Sequence, residues 1–262
     1  MCGIGGELRL DGGDPDLALM GRMLQRLARR GPDHEGVWSN GPVLFGHRRL
    51  SVIDLSDRSN QPMVDPDLGL TLVFNGAIYN YRELRRELLA KGYRFFSDGD
   101  TEVILKAYAE WGERCVEHLI GMFAFALWDP NERSLFLARD RLGIKPLYYS
   151  RTPRAFRFAS NSQALLAAPD VDTALDPVAL HHQLTLHAVI PAPRTILQGI
   201  RKLAPATTLT IDASGHERSR VYWTLRAMRP ATPRGEAEWI EAVHAALRLA
   251  VRRRLDIADV PV

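Results

Sequence analysis

Hydrophobic positions along the first 211 residues follow two different periods. Apolar residues recur every three or four positions in four stretches, which predicts amphipathic helices at DLALMGRMLQRLARRG (16–31), YRELRRELLAKGY (81–93), DTEVILKAYAEWG (100–112) and DPVALHHQLTLH (176–187). On the first of these helices, Leu17, Met20, Leu24 and Leu27 are predicted to share the inward face. Gly31 is predicted to end that helix, because glycine commonly follows the last helical turn.

Strand signals alternate with these helices. Extended segments are predicted at ELRL (7–10), VLFGHRRLSVID (43–54), LTLVFNGAIYN (70–80) and FRFAS (156–160). The stretch MFAFALWDPNERSLFLARD (122–140) predicts a β-hairpin whose turn is DPNE. The mixture predicts sheets packed face to face with helices outside, and it does not fit the regular strand–helix alternation of a Rossmann-like fold.

The pattern divides the chain into three parts. Residues 1–211 form the predicted domain, and 212–238 are predicted to be a linker, because Pro230, Pro233 and Gly235 follow one another closely there. Residues 239–262, WIEAVHAALRLAVRRRLDIADVPV, predict a helix and an apolar strand, the truncated start of another domain. We expect the DIADVPV end to be disordered or to pair with a neighbouring chain, because an uncovered strand offers a free edge.

Composition narrows the class of protein. Of 262 residues, 46% are hydrophobic and 25% are charged, which is ordinary for a soluble globular protein. The net charge is +3, but the basic residues are interleaved with acids, as in RELRREL, and form no stripe. This scatter argues against nucleic-acid or membrane-surface binding. The start lacks a signal peptide, and no apolar run reaches a membrane span of about 18 residues. We therefore predict a cytoplasmic protein.

The two cysteines do not form a disulfide framework, and no CxxC or HxxxH pair predicts a metal site. Cys2 stands out because it follows the initiator methionine directly in MCGIGG. If Met1 is removed, a thiol and a free α-amino group share one residue, and the amine can act as base for its own nucleophile. The alternative is a small buried apolar thiol, and the stretch MCGIGG alone leaves both interpretations open.

Further motifs follow Cys2 in a fixed order. MCGI, RGPD (30–33), RLSVID (49–54), FNGAIYN (74–80) and RDRLGIKPLYY (139–149) resemble the glutaminase domain of class II glutamine amidotransferases of the asparagine synthetase family. The resemblance covers residues 1–211. It implies an α+β fold, the four-layer αββα N-terminal-nucleophile hydrolase sandwich.

The resemblance also implies catalytic roles. Cys2 attacks the side-chain amide of glutamine, which releases ammonia and leaves a glutamyl thioester. The Asn75 side chain and the Gly76 N–H stabilise the oxyanion, and one such donor typically contributes ~3–4 kcal/mol to lowering the barrier.

The resemblance also implies that four residues bind the substrate. Arg49 clamps the α-carboxylate of glutamine, a bidentate task that suits a guanidinium. Asp100 faces the α-ammonium, and backbone groups near Leu50 and Val52 line the slot.

The chain departs from the family at FNGAIYN, where Ala77 stands in place of the usual glutamate that helps Asp100 hold the α-ammonium. Three explanations remain open: weak glutamine binding, compensation by Asp98, or a donor whose α-nitrogen is not a free cation. Two further stretches resemble the N-acetylglutaminylglutamine amidotransferase subfamily more than asparagine synthetase itself: ASNSQALL (159–166) and HHQLTLHAVIPAPRTILQGIRKLAPATTLTI (181–211).

The resemblance implies that the chain is the glutaminase half of an amidotransferase. Ammonia would pass to a C-terminal synthetase domain that uses ATP and Mg²⁺ to amidate aspartate or a small dipeptide such as N-acetylglutaminylglutamine. We predict no cofactor and no metal in residues 1–262. A homodimer is kept as an alternative to a monomer, and a non-catalytic regulatory domain of the same fold is the alternative function.

Overall fold

The computed structural model describes residues 1–228, 232 and 234–260. The helices are α1 (Leu17–Leu27), α2 (Tyr81–Ala90), α3 (Asp100–Trp111), α4 (Cys115–His118), α5 (Ser162–Leu165), α6 (Pro177–Thr185) and α7 (Glu236–Leu255). The strands are β1 (Gly3–Arg9), β2 (His34–Asn40), β3 (Val43–Arg49), β4 (Met63–Val64), β5 (Thr71–Ile78), β6 (Gly121–Asp129), β7 (Ser134–Arg139), β8 (Tyr148–Arg151), β9 (Ala155–Ala159), β10 (Arg201–Lys202), β11 (Thr207–Asp212) and β12 (Glu217–Val221).

The strands form two antiparallel sheets. Sheet A has the order β10-β8-β9-β1-β3-β2, and sheet B has the order β12-β11-β7-β6-β5-β4. Strand β1 is central in sheet A, where Gly5 pairs with Gly46 of β3 on one side and with Ala159 of β9 on the other. The residue that precedes β1 is therefore held by ladders on both sides.

Period-two alternation sorts the apolar side chains into layers. Along β5 and β6, Val73 and Ala126 face the core between the sheets, whereas Phe74 and Phe125 face helices α2 and α3. Helices α1 and α5 cover the other face of sheet A, where Leu44 contributes to the contact. The order of layers is helices, sheet A, sheet B, helices, which confirms the predicted four-layer αββα arrangement.

Local predictions succeed where the pattern is strong. The hairpin of β6 and β7 is confirmed, and helix α1 buries Met20, Leu24 and Leu27. The prediction that Leu17 shares the inward face is wrong, since this residue is 62% exposed. The Asp16 side chain caps the helix through the Leu19 N–H, which places Leu17 in the first turn, outside the buried face.

The strand predicted over 43–54 ends at Arg49. Asp54 has a φ of 47°, and its carboxylate accepts hydrogen bonds from the hydroxyls of Ser56 (2.6 Å) and Ser59 (2.6 Å). These bonds hold residues 50–60 as a loop, which we call the site loop. Its apolar residues Leu50, Val52 and Ile53 border a cavity rather than a sheet.

Two features of the C-terminal part differ from prediction. Strand β12 lies within the range predicted as linker and pairs with β11, a polar edge strand that hydrophobic alternation does not reveal. Asp256–Val260 form no strand; instead Ile257 is buried in the core. Pro230, Pro233 and residues 261–262 lie outside the described residues. The domain boundary at residue 211 stays a prediction.

Within the described ranges, no helix is both long and apolar enough to cross a bilayer.

Asp140 organises the turn between β7 and β8. Its carboxylate accepts hydrogen bonds from the backbone N–H groups of Phe123 (3.2 Å), Leu142 (3.1 Å), Ile144 (2.9 Å) and Lys145 (2.9 Å). Asp140 is 1% exposed, so these donors would otherwise be desolvated without an acceptor. The conformation of this turn fixes the position of Lys145.

We expect Asp140→Asn to lower the free energy of unfolding by about 3 kcal/mol, because hydrogen bonds to a charged acceptor contribute roughly 1.5–3 kcal/mol each. Denaturant unfolding measures the change. Asp67→Asn, at an exposed position, is the control and should shift it by less than about 0.5 kcal/mol. Equal stabilities for the two variants would contradict the structural role of Asp140.

Candidate active site

Cys2 lies at the start of the central strand β1, where sheet A meets the edge of sheet B. Its Sγ accepts a hydrogen bond from the Leu50 N–H at 3.4 Å, and Arg30 Nε donates to the Cys2 carbonyl oxygen at 3.0 Å. The cysteine is half-buried, and burial raises the pKa of its thiol. The thiol is therefore predominantly neutral at pH 7, and a nucleophilic reaction requires a base.

A cavity of about 360 Å³ opens beside Cys2. The site loop, strand β5, the start of α3 and the residues after α7 all border it. All seven residues predicted as catalytic or substrate-binding line this cavity: Cys2, Arg49, Leu50, Val52, Asn75, Gly76 and Asp100. The structure thus brings together residues that are up to 98 positions apart in the sequence.

Strand β5 presents free backbone groups to the cavity because β4 pairs with it only at Thr71 and Leu72. In an antiparallel strand, alternate N–H groups point to the same side. Phe74 N–H donates to Gln61 Oε1 (2.6 Å), and Ile78 N–H donates to Asp100 Oδ2 (2.9 Å). Gly76, midway between them, directs its N–H to the same side, where it borders the cavity.

Asn75 adds a second donor beside the Gly76 N–H. Its Nδ2 is buried and has no hydrogen-bond partner in the part of the chain that the structure describes. A buried amide without a partner costs free energy, so an unpaired donor in a cavity indicates a place for an anionic or carbonyl oxygen. Position 76 requires glycine, because a Cβ there would lie 2.2 Å from the Met122 carbonyl oxygen on β6.

Arg49 joins the cavity to the site loop. Its Nη1 donates to the Ser56 carbonyl oxygen (2.9 Å) and to Asn60 Oδ1 (2.7 Å), and its Nη2 donates to the Asp54 carbonyl oxygen. The guanidinium is 5% exposed and lines the cavity. A guanidinium carries five N–H donors, so donors remain for a carboxylate in the cavity.

Asp100 supplies a carboxylate to the cavity wall. It is the first residue of α3 and is 5% exposed. Burial raises its pKa to about 7, although the backbone hydrogen bond from Ile78 opposes the rise. Near pH 7 this carboxylate therefore exchanges readily between its neutral and charged forms, and a cation in the cavity would favour the charged form.

Ala77 leaves Asp100 as the single carboxylate among the described residues that line the cavity. Compensation by Asp98 is excluded by geometry. The Asp98 side chain is 70% exposed and forms ion pairs with Arg58 (3.4 Å) and Arg85 (3.2 Å) outside the cavity. A ligand that carries one cationic group and one anionic group matches Asp100 and Arg49.

Cations surround the amino terminus. Lys145 is 4% exposed, and its Nζ lies 3.1 Å from Met1 Sδ. Burial, together with the positive charges of Lys145 and Arg30, lowers the pKa of the terminal α-amino group. A larger fraction of that amine is therefore unprotonated near neutral pH, which is the form that accepts a proton.

The remaining noted residues have structural roles. His47 Nε2 lies 3.2 Å from the Phe74 carbonyl oxygen and donates to it, and burial lowers the His47 pKa to about 3, so the ring stays neutral. Cys115 is fully buried in the core of α3 and α4, as predicted for a core thiol. The described residues contain no cluster of three or more His, Cys, Asp or Glu side chains that could hold a metal ion.

Several cavity residues were missed by sequence reasoning. Lys145 lies within the motif RDRLGIKPLYY, and Gln61 begins the short stretch QPM (61–63), but neither residue was assigned a role from the sequence. Arg254 and Ile257 also line the cavity, and no local pattern connects them to residues 200 positions earlier.

Comparison with known proteins shows which family the chain resembles. Residues 1–223 match the family described as the glutamine amidotransferase domain. The chain is 40% identical over 245 residues to asparagine synthetase (glutamine-hydrolyzing) 3 of Bacillus subtilis, a match that covers 93% of this chain and 39% of that protein. It is 36% identical over 243 residues to amidase chry2 of Gibberella zeae, covering 91% of this chain and 35% of that protein. The chain thus spans less than half the length of these relatives.

Solved structures give the fold. Glutamine phosphoribosylpyrophosphate amidotransferase from B. subtilis superposes with a TM-score of 0.61 at 19% identity, covering 86% of this chain and 50% of that chain. A second structure, described as the allosteric regulatory enzyme of purine biosynthesis, has a TM-score of 0.62 at 19% identity and the same coverage. This likeness confirms the N-terminal-nucleophile sandwich that the motifs predict.

The two thiols should differ in reactivity. We expect iodoacetamide to modify Cys2 in the native protein and to leave Cys115 unmodified, because Cys2 borders an open cavity whereas Cys115 is fully buried and burial raises the Cys115 pKa. Peptide mass spectrometry locates the adduct. Modification of both thiols in denaturant is the control, and native modification of Cys115 before Cys2 would contradict this geometry.

Proposed function

Because the chain belongs to the glutamine amidotransferase domain family, we propose that it hydrolyses the side-chain amide of glutamine to glutamate and ammonia, with Cys2 as the nucleophile. One observation carries the proposal. Asn75 Nδ2, which is buried and has no hydrogen-bond partner among the described residues, lines the same cavity as Gly76 and the Cys2 thiol. That arrangement suits an oxyanion formed when the thiol adds to an amide carbonyl.

The substrate is an α-amino acid, and the charged groups of the cavity match it. Arg49 would bind the α-carboxylate and Asp100 the α-ammonium, while Leu50 and Val52 border the slot between them. Binding of the cation keeps Asp100 charged at a pH where the empty site is partly protonated. The amide then lies toward Cys2.

The reaction proceeds in two balanced steps. In the first, the Cys2 sulfur bonds to the amide carbon, the carbon–nitrogen bond breaks, and the thiol proton is delivered to the leaving ammonia. In the second, water adds to the thioester carbon, the carbon–sulfur bond breaks, and glutamate leaves with the thiol restored. Asn75 and Gly76 donate to the oxyanion in both steps.

The base that carries the proton is the α-amino group of Cys2 itself, exposed when Met1 is removed. Two observations support this assignment. Burial and the nearby cations Lys145 and Arg30 lower the pKa of the Met1 amine, which lies one residue before Cys2 in the same surroundings. Burial also raises the pKa of the Cys2 thiol, so the resting nucleophile is protonated and needs a base. The amine accepts the thiol proton directly or through one water.

The ammonia is proposed to feed a synthetase domain, since relatives are named asparagine synthetase (glutamine-hydrolyzing), and we propose that this domain uses ATP and Mg²⁺. Support comes from the asparagine synthetase of B. subtilis, of which this chain matches 39%. The acceptor would be aspartate or a small dipeptide such as N-acetylglutaminylglutamine. We assign no residue of this chain to ATP or Mg²⁺. A cytoplasmic location is proposed because both cysteines are free thiols.

A non-catalytic regulatory role finds no support in the comparisons. The relatives that match most of the chain are named as glutamine-hydrolyzing synthetases or as amidases. The matched amidase keeps open which amide is cleaved in vivo. It does not alter the assignment of Cys2, Asn75 and Gly76.

Release of glutamate and ammonia from glutamine by the purified chain tests the proposal. We expect Cys2→Ala to abolish turnover and Cys115→Ala to retain it within about twofold, because only Cys2 lines the cavity. Intact-mass analysis should show that the active protein begins at Cys2. Full activity in protein that retains Met1 would contradict the role of the amine as base.

Glutamine binding should depend on pH through Asp100. We expect the Kd of the Cys2→Ala variant for glutamine to rise about thirtyfold between pH 8 and pH 5.5, because protonation below the pKa of about 7 removes the charge that pairs with the α-ammonium. Calorimetry measures Kd without turnover. The matched control, Asp100→Asn in the same background, should bind weakly at both pH values, and a pH-independent Kd in Cys2→Ala would refute the prediction.

A further inference from the structure

Helix α7 contacts the rest of the protein mainly through its C-terminal end. None of its residues is buried, and the side chains of Trp239 and Leu247 are 45% and 60% exposed. Beyond the helix, Ile257 is 7% exposed and packs in the core cluster that contains Tyr81. We call residues 254–259 the C-terminal anchor.

The anchor forms part of the cavity wall. Arg254, Ile257 and Ala258 all line the cavity beside Cys2. The Arg254 guanidinium lies over the Tyr79 ring, 4.8 Å from its centroid, and Tyr79 also borders the cavity. Removing this segment would open that side of the cavity to solvent.

The anchor is also hydrogen-bonded to the site loop. Asp259 N–H donates to the Val52 carbonyl oxygen (2.9 Å), and Asp54 N–H donates to Asp259 Oδ2 (2.8 Å). Asp259 therefore holds both ends of the turn that presents Ile53 to the cavity. A third bond joins the anchor to α2, from Arg82 Nη1 to the Asp256 carbonyl oxygen (2.9 Å).

The site loop transmits this restraint to the residues that bind and react. Leu50 donates to Cys2 Sγ, and the Asp54 carbonyl oxygen accepts from Arg49. Asp259 thus contacts residues 52 and 54 of the site loop, and the same short loop orients the Cys2 thiol and the Arg49 guanidinium. A shift of residues 52–54 would displace the Arg49 side chain.

We propose that the C-terminal anchor is a positioning element of the active site, which closes one wall of the cavity and fixes the site loop for substrate binding. The proposal rests on the assignment of the cavity as the glutamine site. Its consequence is that release of the anchor weakens substrate binding without removing any catalytic group. Movement of α7 would then change the affinity of the site.

Three variants of the full chain test the proposal by glutamine hydrolysis. Asp259→Ala removes the acceptor of the Asp54 N–H, and we expect KM to rise about fivefold with kcat within about twofold, as for the loss of one hydrogen bond in a ground-state contact. Asp259→Asn keeps a neutral acceptor and should restore KM to near the wild-type value. Leu247→Ala, at an exposed position on α7, should leave both constants unchanged.

Alkylation of Cys2 by iodoacetamide gives a second readout that does not depend on turnover. We expect a faster reaction in Asp259→Ala than in wild type and Leu247→Ala, because the opened wall admits the reagent. Wild-type KM and wild-type alkylation rate in Asp259→Ala would overturn the proposal. If no protein hydrolyses glutamine, the proposed function fails, and the alkylation comparison alone decides whether the anchor closes the cavity.

Discussion

The site depends on an interrupted sheet edge. Strand β5 loses its partner β4 after two residue pairs, so its next outward N–H groups need other acceptors. Gln61 and Asp100 satisfy the groups of Phe74 and Ile78, and the group of Gly76 between them borders the cavity. A fully paired strand would have left no donor for substrate. The same edge therefore orients Asp100 through the Ile78 N–H and presents the Gly76 N–H, the proposed oxyanion donor, to the cavity.

The two sheets pack face to face, and this packing brings Cys2, the proposed nucleophile, next to that edge. Strand β1 is the fourth of six strands in sheet A and is fixed by β3 and β9, so the residue before it has little freedom. Buried carboxylates then order the loops around the cavity. Asp54 shapes the site loop, and Asp140 shapes the turn that presents Lys145. Strands thus position Cys2, Asn75 and Gly76 at the cavity, and buried carboxylates hold the loops that complete its wall.

The sequence predicts this site better than it predicts the fold around it. Local patterns gave helix α1 and the hairpin of β6 and β7, and the seven residues that the resemblance marked as catalytic or substrate-binding all line the cavity. Gln61, which lines it too, was not assigned a role. The mixed pattern indicated stacked sheets with helices outside, and the resemblance specified the N-terminal-nucleophile sandwich, because hydrophobic period alone does not reveal the strand order or which faces pack together. The end of β3 was misjudged, since the side-chain bonds of Asp54 override the apolar pattern of the following residues. The contact of Asp259 with the site loop had no local signal at all.

The position of Cys2 limits what can precede it in the chain. Met1 lines the cavity, with its sulfur 3.1 Å from Lys145 Nζ, and the ladder of β1 with β3 begins at Gly3, directly after Cys2. A longer amino-terminal extension, an affinity tag included, would begin beside this cavity, because Met1 lines it. Purification handles for this protein therefore belong at sites other than its amino terminus, because an extension that is not removed would keep the Cys2 nitrogen in a peptide bond and take away the proposed base.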